Sequence, residues 1–482
     1  MRQATWIIKL CLIPVLMLPL SAQTGNGIVR GTVLDASRAT IPAASVTLTN
    51  TATGIVRSAQ TSAVGIYYFG SVPIGPYTLS VEAAGFKKWS GTLNVAAGET
   101  VVIDPNMEVG TVESVVEVTG AAPVITTEGM EVGDVKDELR IRQLPLNGRV
   151  VSNLFDLTPG VEGGSNPRVN GMKVGSADML LDGISLTDRY GGGMSRVQPG
   201  LDTIQEYRIE TAGSSAQYAR PATMSLVTKS GTNELHGSVF WTHRNNFGGL
   251  RARQRQDFYD QPPQYIRNEF GASAGGPVIK NKTFWFAAYE GQRERQSRFA
   301  RTSAPTAAIW DGDFSGAITS NSEPITIYNP YSTGADGTRV PFSSNRIPKN
   351  MITPFAETMR SISATPTGPN AGGNPWLEDN FEAYYPQQSD IGTITLKGDH
   401  VFSESDNLSG RFTRSTRAYK LFGGRYGYPV PGSTDAGGTG RSDSSVHTMF
   451  ARWNHVFSPT LLNEFQASAY RSWHSQGTLG DD

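Results

Sequence analysis

Residues 234–482 carry seven segments in which apolar and polar side chains alternate, and the links between the segments alternate in length. The segments are "HGSVFWTHR", "NEFGASAGGPV", "TFWFAAYEGQ", "IGTITLKGDHVF", "NLSGRFTRS", "HTMFARWNHVF" and "LLNEFQASAYRS". In the fourth, Ile394, Leu396 and Gly398 share one face while Thr393, Thr395, Lys397 and Asp399 share the other. In the sixth, Met449, Ala451, Trp453 and Phe457 oppose Thr448, Arg452 and Asn454. A period of two is the side-chain period of a strand. Segments two and three are joined by "IKNK", four and five by "SESD", and six and seven by "SPT". The other links are long, over residues 245–267, 293–390 and 416–446. A soluble sandwich also alternates, but it rarely sorts its loops short on one side and long on the other. A membrane barrel wall does, with lipid outside and a polar lumen inside.

The N-terminus explains how such a wall reaches a membrane. Arg2 and Lys9 lead into an apolar run from Leu10 to Leu20, followed by Ser21 and Ala22. This is the pattern of a secretory signal peptide over residues 1–22, cut between Ala22 and Gln23. The run is shorter than the roughly 20 apolar residues of a spanning helix. The one cysteine, Cys11, lies within it, so the mature chain has no disulfide, thiol nucleophile or Cys-ligated metal. No later segment is apolar enough for a transmembrane helix, so membrane entry has to be by strands. A formal net charge of −1 gives no reason to expect nucleic acid as a partner. With 53 Gly and 28 Pro, the chain reads as all-β dominated, rich in strands and turns.

Between leader and wall lie two further regions. Residues 24–109 show short alternating runs at regular spacing, "GIVRGTVLD", "ASVTLTN", "GIYYFGSV", "PYTLSVEAAGF" and "GTLNVAAGE", which predicts a small antiparallel β-sandwich. Gly75 and Pro76 fit a tight turn there and Tyr77 a core position. "GTVLD", "TSAVGIYYFGSVPIGPYTLSVEAAGF" and "VVIDPNMEV" resemble the carboxypeptidase regulatory-like domain, a transthyretin-like sandwich. Residues 111–231 are irregular and Gly-rich, with the blocks "VVEVTGAAPVI", "LPLNGRVVSNLFDLTPGV", "RVNGMKVGSADMLLDGISLTD" and "LDTIQEYRIETAGSSAQYARPATMSLVTKSGTN". In that order they resemble the plug of TonB-dependent outer-membrane receptors, particularly the Oar-like group. The resemblance implies a mixed α/β plug at residues 111–231, followed at 234–482 by the first strands of a transmembrane β-barrel.

The sequence carries few motifs of catalytic or metal chemistry. None of the six histidines begins a His-x-x-Glu pair or a His-Glu-x-x-His motif. The pattern Gly-x-Ser-x-Gly occurs once, at Gly271 to Gly275, but within an alternating strand segment and not at the strand-to-helix elbow a nucleophile needs, and the phosphate loop Gly-x-x-x-x-Gly-Lys is missing. We therefore expect no catalytic residue, metal or cofactor. "DGDFSG", Asp311 to Gly316, imitates the start of a calcium loop, but Ser322 stands where a bidentate Glu belongs. Arg251, Arg253 and Arg255 form a basic run in a long link and read as a solvated loop.

The resemblance supplies the remaining expectations. It implies a chain in the outer membrane with its sandwich in the periplasm and its long loops outside. Its partners are lipid, TonB with its inner-membrane energy complex, and a peptide, glycan or chelate ligand. "ESVVEV", comprising Glu113, Ser114, Val115, Val116, Glu117 and Val118, resembles the box that pairs with TonB, and it reads equally well as a last sandwich strand or a linker. Arg189 and Tyr190, after "LLDGISLTD", fall at plug-apex positions. Plugged transporters have about 22 strands, so seven segments imply an N-terminal fragment or a truncated gene model. The alternative is a carbohydrate-binding or adhesion protein acting through the sandwich, although that region holds only Trp89, Tyr67, Tyr68 and Tyr77 as candidate sugar-stacking residues.

Overall fold

The structure is a computed structural model that describes residues 26–110, 115–118, 132–143, 146–163, 166–187, 199–212, 220–246, 264–302, 304–319, 321–363, 366, 380–421, 440–458 and 461–477. The signal-peptide cut at Ala22 and Gln23 and the basic run at Arg251 to Arg255 lie outside these residues.

Residues 27–107 form the sandwich. Its larger sheet runs Lys88–Val95, Gly75–Glu82, Ser45–Asn50 and Val56–Gln60, all antiparallel neighbours. The smaller sheet centres on Gly27–Thr32 between Ile66–Val72 and Thr100–Val102. Alternate residues such as Val46, Leu48, Tyr77, Leu79 and Val81 point inward and are buried together, as period two requires. Tyr77 is a core residue as expected, and its hydroxyl donates to the Pro73 carbonyl at 2.8 Å. The expected turn at Gly75 and Pro76 is displaced. Both residues are already in the strand, opposite Val95 and Asn94, and Gly75 enters it at φ 139°, where a side chain would be strained. Val56–Gln60, absent from the sequence reading, is an edge strand whose buried position is taken by Arg57 while Val56 is exposed, so no apolar alternation reveals it.

The middle region is built on a second sheet, Val132–Asp137, Ile204–Ala212, Ala222–Thr228, Ala177–Leu181 and Ile184–Ser185, with a short helix at Glu138–Gln143. Its core joins Leu154, Phe155, Met179, Tyr207, Ile209 and Met224, and the Tyr207 hydroxyl lies 3.1 Å from Thr158 Oγ1.

The third body is a seven-stranded antiparallel sheet in chain order: His236–Asn245, Tyr265–Ile279, Thr283–Thr302, Phe381–Val401, Asp406–Leu421, Gly440–Ser458 and Leu461–Gly477. These strands correspond one for one to the seven alternating segments. Several run further than the alternation did. The third reaches Thr302 and the fourth starts at Phe381, inside a stretch that reads as a loop. The extension "RERQSRFART" is mostly polar, so the two-faced pattern stops while main-chain pairing continues. The short links follow Ile279, Val401 and Ser458, and the long ones follow Asn245, Thr302 and Leu421. No helix among the described residues is long and apolar enough to cross a membrane.

The faces of this sheet are inverted relative to a soluble protein. Val239 and Trp241 are 85% and 70% exposed, and Ile394, Leu396, Met449, Trp453 and Phe465 also face out. On the other face Thr395 is fully buried, and Thr393, Thr413, Ser415, Thr448 and Asn454 are nearly so. Hydroxyl pairs bridge neighbouring strands there, Thr393 with Ser415 at 3.1 Å and Thr395 with Thr413 at 3.2 Å. Buried polar atoms are tolerated when each has a partner of this kind. A Trp241→Arg change should therefore cost about 2–4 kcal/mol in a bilayer, and Thr242→Arg much less. Folding titrations into lipid vesicles measure both, and equal losses would contradict the facing.

Candidate plug–wall interface

The polar inner face of the wall meets the middle region at two anchors. The first is Asp182, in the hairpin turn of "LLDGISLTD". Leu181 pairs with Ile184, leaving Asp182 and Gly183 as a two-residue loop with φ of 46° and 84°. Positive φ at both positions defines a type I′ turn, for which Asp-Gly is among the preferred sequences. The turn aims the Asp182 carboxylate back at its own sheet and at the wall. It accepts from the Thr228 amide at 2.9 Å and the Thr228 hydroxyl at 2.7 Å. Arg411 of the fifth wall strand donates to it at 2.5 Å, with both side chains almost wholly buried. Arg452 of the sixth strand donates to the Asp182 carbonyl at 3.0 Å. Lys397 of the fourth donates to the Thr228 carbonyl at 2.9 Å. Phe450 lies beside both guanidiniums, its ring centre 5.4 Å from that of Arg411 and 5.2 Å from that of Arg452, within cation–π range.

Burial alone would push the Asp182 carboxyl up. The Arg411 and Lys397 charges and the Thr228 hydrogen bonds outweigh it and hold the group below its ordinary 3.8. The net charge on Asp182 is thus retained inside the interface.

The second anchor is Arg149 of "LPLNGR". It has a left-handed backbone, φ 47°, after Gly148 at φ 83°. That conformation is costly for a residue with a Cβ and turns the side chain toward the wall. The guanidinium stacks 3.9 Å from the centre of the Phe240 ring, pairs with Asp202 at 2.8 Å and lies 3.7 Å from Glu290. Glu290 in turn accepts from the Asp202 amide at 2.7 Å. Gly200 permits this approach, since a Cβ there would fall 2.2 Å from the Glu290 carboxylate. A cavity of about 160 Å³ remains beside Arg149, Phe240, Glu269 and Glu290.

The sandwich is fastened to the base of the same assembly. The Ala97 amide donates to Glu206 at 2.6 Å and its carbonyl accepts from Arg208 at 2.9 Å. Asn233, at the entry to the wall, donates to the Thr53 carbonyl at 2.6 Å.

The residues singled out by sequence fare differently. Arg189 and Tyr190 lie outside the described residues, as do Glu113 and Ser114. Val115–Val118 is a strand on the edge of the sandwich, parallel to Lys88–Val95. Of the calcium-like loop, Asp311 is paired with Arg360 and Asp313 with Arg346, each at 2.7 Å. Among the described residues no group of three His, Cys, Asp or Glu is placed to hold a metal. Asp182, Arg149, Arg411 and Arg452 were not singled out. The Asp-Gly turn and the arginines on the polar face of alternating strands were the available signals.

Comparison with known proteins agrees with this architecture. The description "Outer membrane beta barrel domain" matches residues 227–482, more than half of the sequence. The chain belongs to the outer membrane β-barrel family. Residues 28–108 of this barrel protein match the carboxypeptidase regulatory-like domain. It is similar to the TonB-dependent transporter Oar of Myxococcus xanthus, 27% identical over 277 residues, 54% of this chain and 26% of that protein. The barrel protein thus aligns with about a quarter of that relative's length. Solved structures of similar shape include the ferric preacinetobactin receptor of Acinetobacter baumannii, at 12% identity and TM-score 0.35, covering 72% of this chain and 47% of that one. The ferric enterobactin receptor of Pseudomonas aeruginosa matches at 13% and 0.33, covering 70% and 44%. At that level of similarity nothing further about this chain follows from them.

Removing one member of a buried ion pair typically costs about 3–5 kcal/mol, because the other charge is left uncompensated. Asp182→Asn should lower resistance to urea unfolding at pH 7 by that order. Because the Asp182 carboxyl is depressed on folding, its contribution is present above the ordinary carboxylate range and disappears as pH falls through the folded value. The difference between parent and variant should therefore shrink below about pH 4. A difference independent of pH would show that the carboxylate charge is not what holds the interface.

Proposed function

We propose that this chain carries the gating and coupling parts of a TonB-dependent outer-membrane transporter. The wall spans the outer membrane, the middle region is the plug within it, and the sandwich lies on the periplasmic side. The observation that carries the reading is the Asp182 anchor. A buried carboxylate on the middle sheet is paired with Arg411 of the wall while Arg452 holds the carbonyl of the same residue, a polar junction inside a sheet whose other face is apolar. Such a junction holds the plug in place yet can be exchanged for water when the plug moves, as an apolar core cannot.

In this reading a ligand binds from outside, among the long loops and the plug apex near Arg189 and Tyr190. TonB engages residues 113–118 by strand addition, in which main-chain hydrogen bonds supply the affinity. Energy from the inner membrane is then passed to the plug. No covalent chemistry is required, and the ligand is a peptide, a glycan or a metal chelate.

Strand addition needs backbone donors, which proline lacks. Val116→Pro should abolish binding of the purified periplasmic domain of TonB to the full chain in detergent, with heat-modifiable electrophoretic mobility unchanged. Undiminished binding by that variant counts against 113–118 as the coupling segment.

A further inference from the structure

Val115–Val118 lies in register with a sandwich strand: Val115 is opposite Lys88, Val116 opposite Trp89, Glu117 opposite Ser90 and Val118 opposite Gly91. It is the terminal strand of its sheet, and Lys88–Val95 is held on its other side by Gly75–Glu82. Main-chain groups of a strand point in turn to its two sides, so this pairing commits one whole side of the segment. A partner that takes the segment by strand addition draws on groups of the same kind.

We propose that the sandwich edge at Lys88–Gly91 is an intramolecular competitor for TonB. The coupling segment rests on this edge and must leave it to be captured. The proposal rests on reading residues 113–118 as the coupling segment, and it adds a resting state to that reading.

Three features suit the edge to a reversible hold. The contact is parallel and four residues long, whereas the other pairings of this sheet are all antiparallel. Parallel pairing is slightly weaker per residue. The edge itself is fixed, because Trp89 is part of the sandwich core and packs against Gly91, where a Cβ would fall 2.6 Å from its ring. The resting place therefore persists when the segment leaves. The sandwich is also fastened to the middle sheet through Ala97, Glu206 and Arg208, so the edge stays close to the chain that tethers the segment. A tethered competitor acts at high effective concentration, and the apparent affinity of TonB falls with the fraction of time the segment is free.

Disulfide locking tests this. Two cysteine pairs follow the register, Lys88→Cys with Val115→Cys and Ser90→Cys with Glu117→Cys, each in a full chain carrying Cys11→Ser so that no other thiol is present. The probe is the purified periplasmic domain of TonB, titrated against the oxidised and reduced forms in detergent. Binding should be at least about tenfold weaker when oxidised and should recover on reduction. Equal affinity in both forms would overturn the proposal, since TonB would then be adding to the segment in place. The second pair carries the test where the first does not fold. Val116→Pro in the reduced background separates the two readings. If it binds like its parent, the coupling segment itself is misassigned. If it loses binding while neither cross-link has an effect, only the competition fails.

Discussion

Main-chain N–H and C=O groups cannot be left unpaired where there is no water, and this constraint fixes the form of the wall. Each strand pairs with its neighbours in chain order, the first and last on one side only among the described residues. Once pairing is settled, the alternation of side chains decides the rest. One face is apolar, and Val239, Trp241, Ile394 and Leu396 are exposed on it. The opposite face is then left polar, and its groups need partners of their own. Hydroxyl pairs between strands satisfy some, and the middle region satisfies others.

The two anchors use different chemistry for the same purpose. At Asp182 a charge is taken deep into the interface and matched by Arg411, with Arg452 and Lys397 fixing the adjacent main chain. At Arg149 a cation is laid on the Phe240 ring and shared between Asp202 and Glu290. Both anchoring residues have positive φ. The backbone strain is maintained because the turn chemistry on one side and the wall on the other both require that conformation. At these two junctions the middle region is held by directional polar contacts.

Much of the architecture was legible in the sequence, for a physical reason. In the wall, exposed apolar side chains on one face and buried polar groups on the other give a strict alternation, so all seven strands could be placed. The alternation ends where both faces meet water, which is why the continuation of the third strand to Thr302 and the start of the fourth at Phe381 read as loop. The anchors were only half legible. "LLDGISLTD" and "LPLNGR" stood out as blocks, but the partners of Asp182 are 229 and 270 residues away along the chain. An arginine on a polar strand face looks like any lumenal side chain until register brings it to its carboxylate. The acids of "DGDFSG", which only imitates a calcium loop, are matched in the same way by distant residues, Arg346 and Arg360 of the same long link.

The central claim is that the apolar face of the seven-stranded sheet meets lipid while the polar face is sealed against the middle region. Nitroxide labels placed singly at residues 393 to 397 in vesicles, with collision rates to oxygen and to a water-soluble nickel chelate, test it most directly. Labels at 394 and 396 should collide with oxygen and not with the chelate, and labels at 393 and 395 should be shielded from both. Access of the chelate to 394 and 396, or collision rates without a period of two, would contradict it.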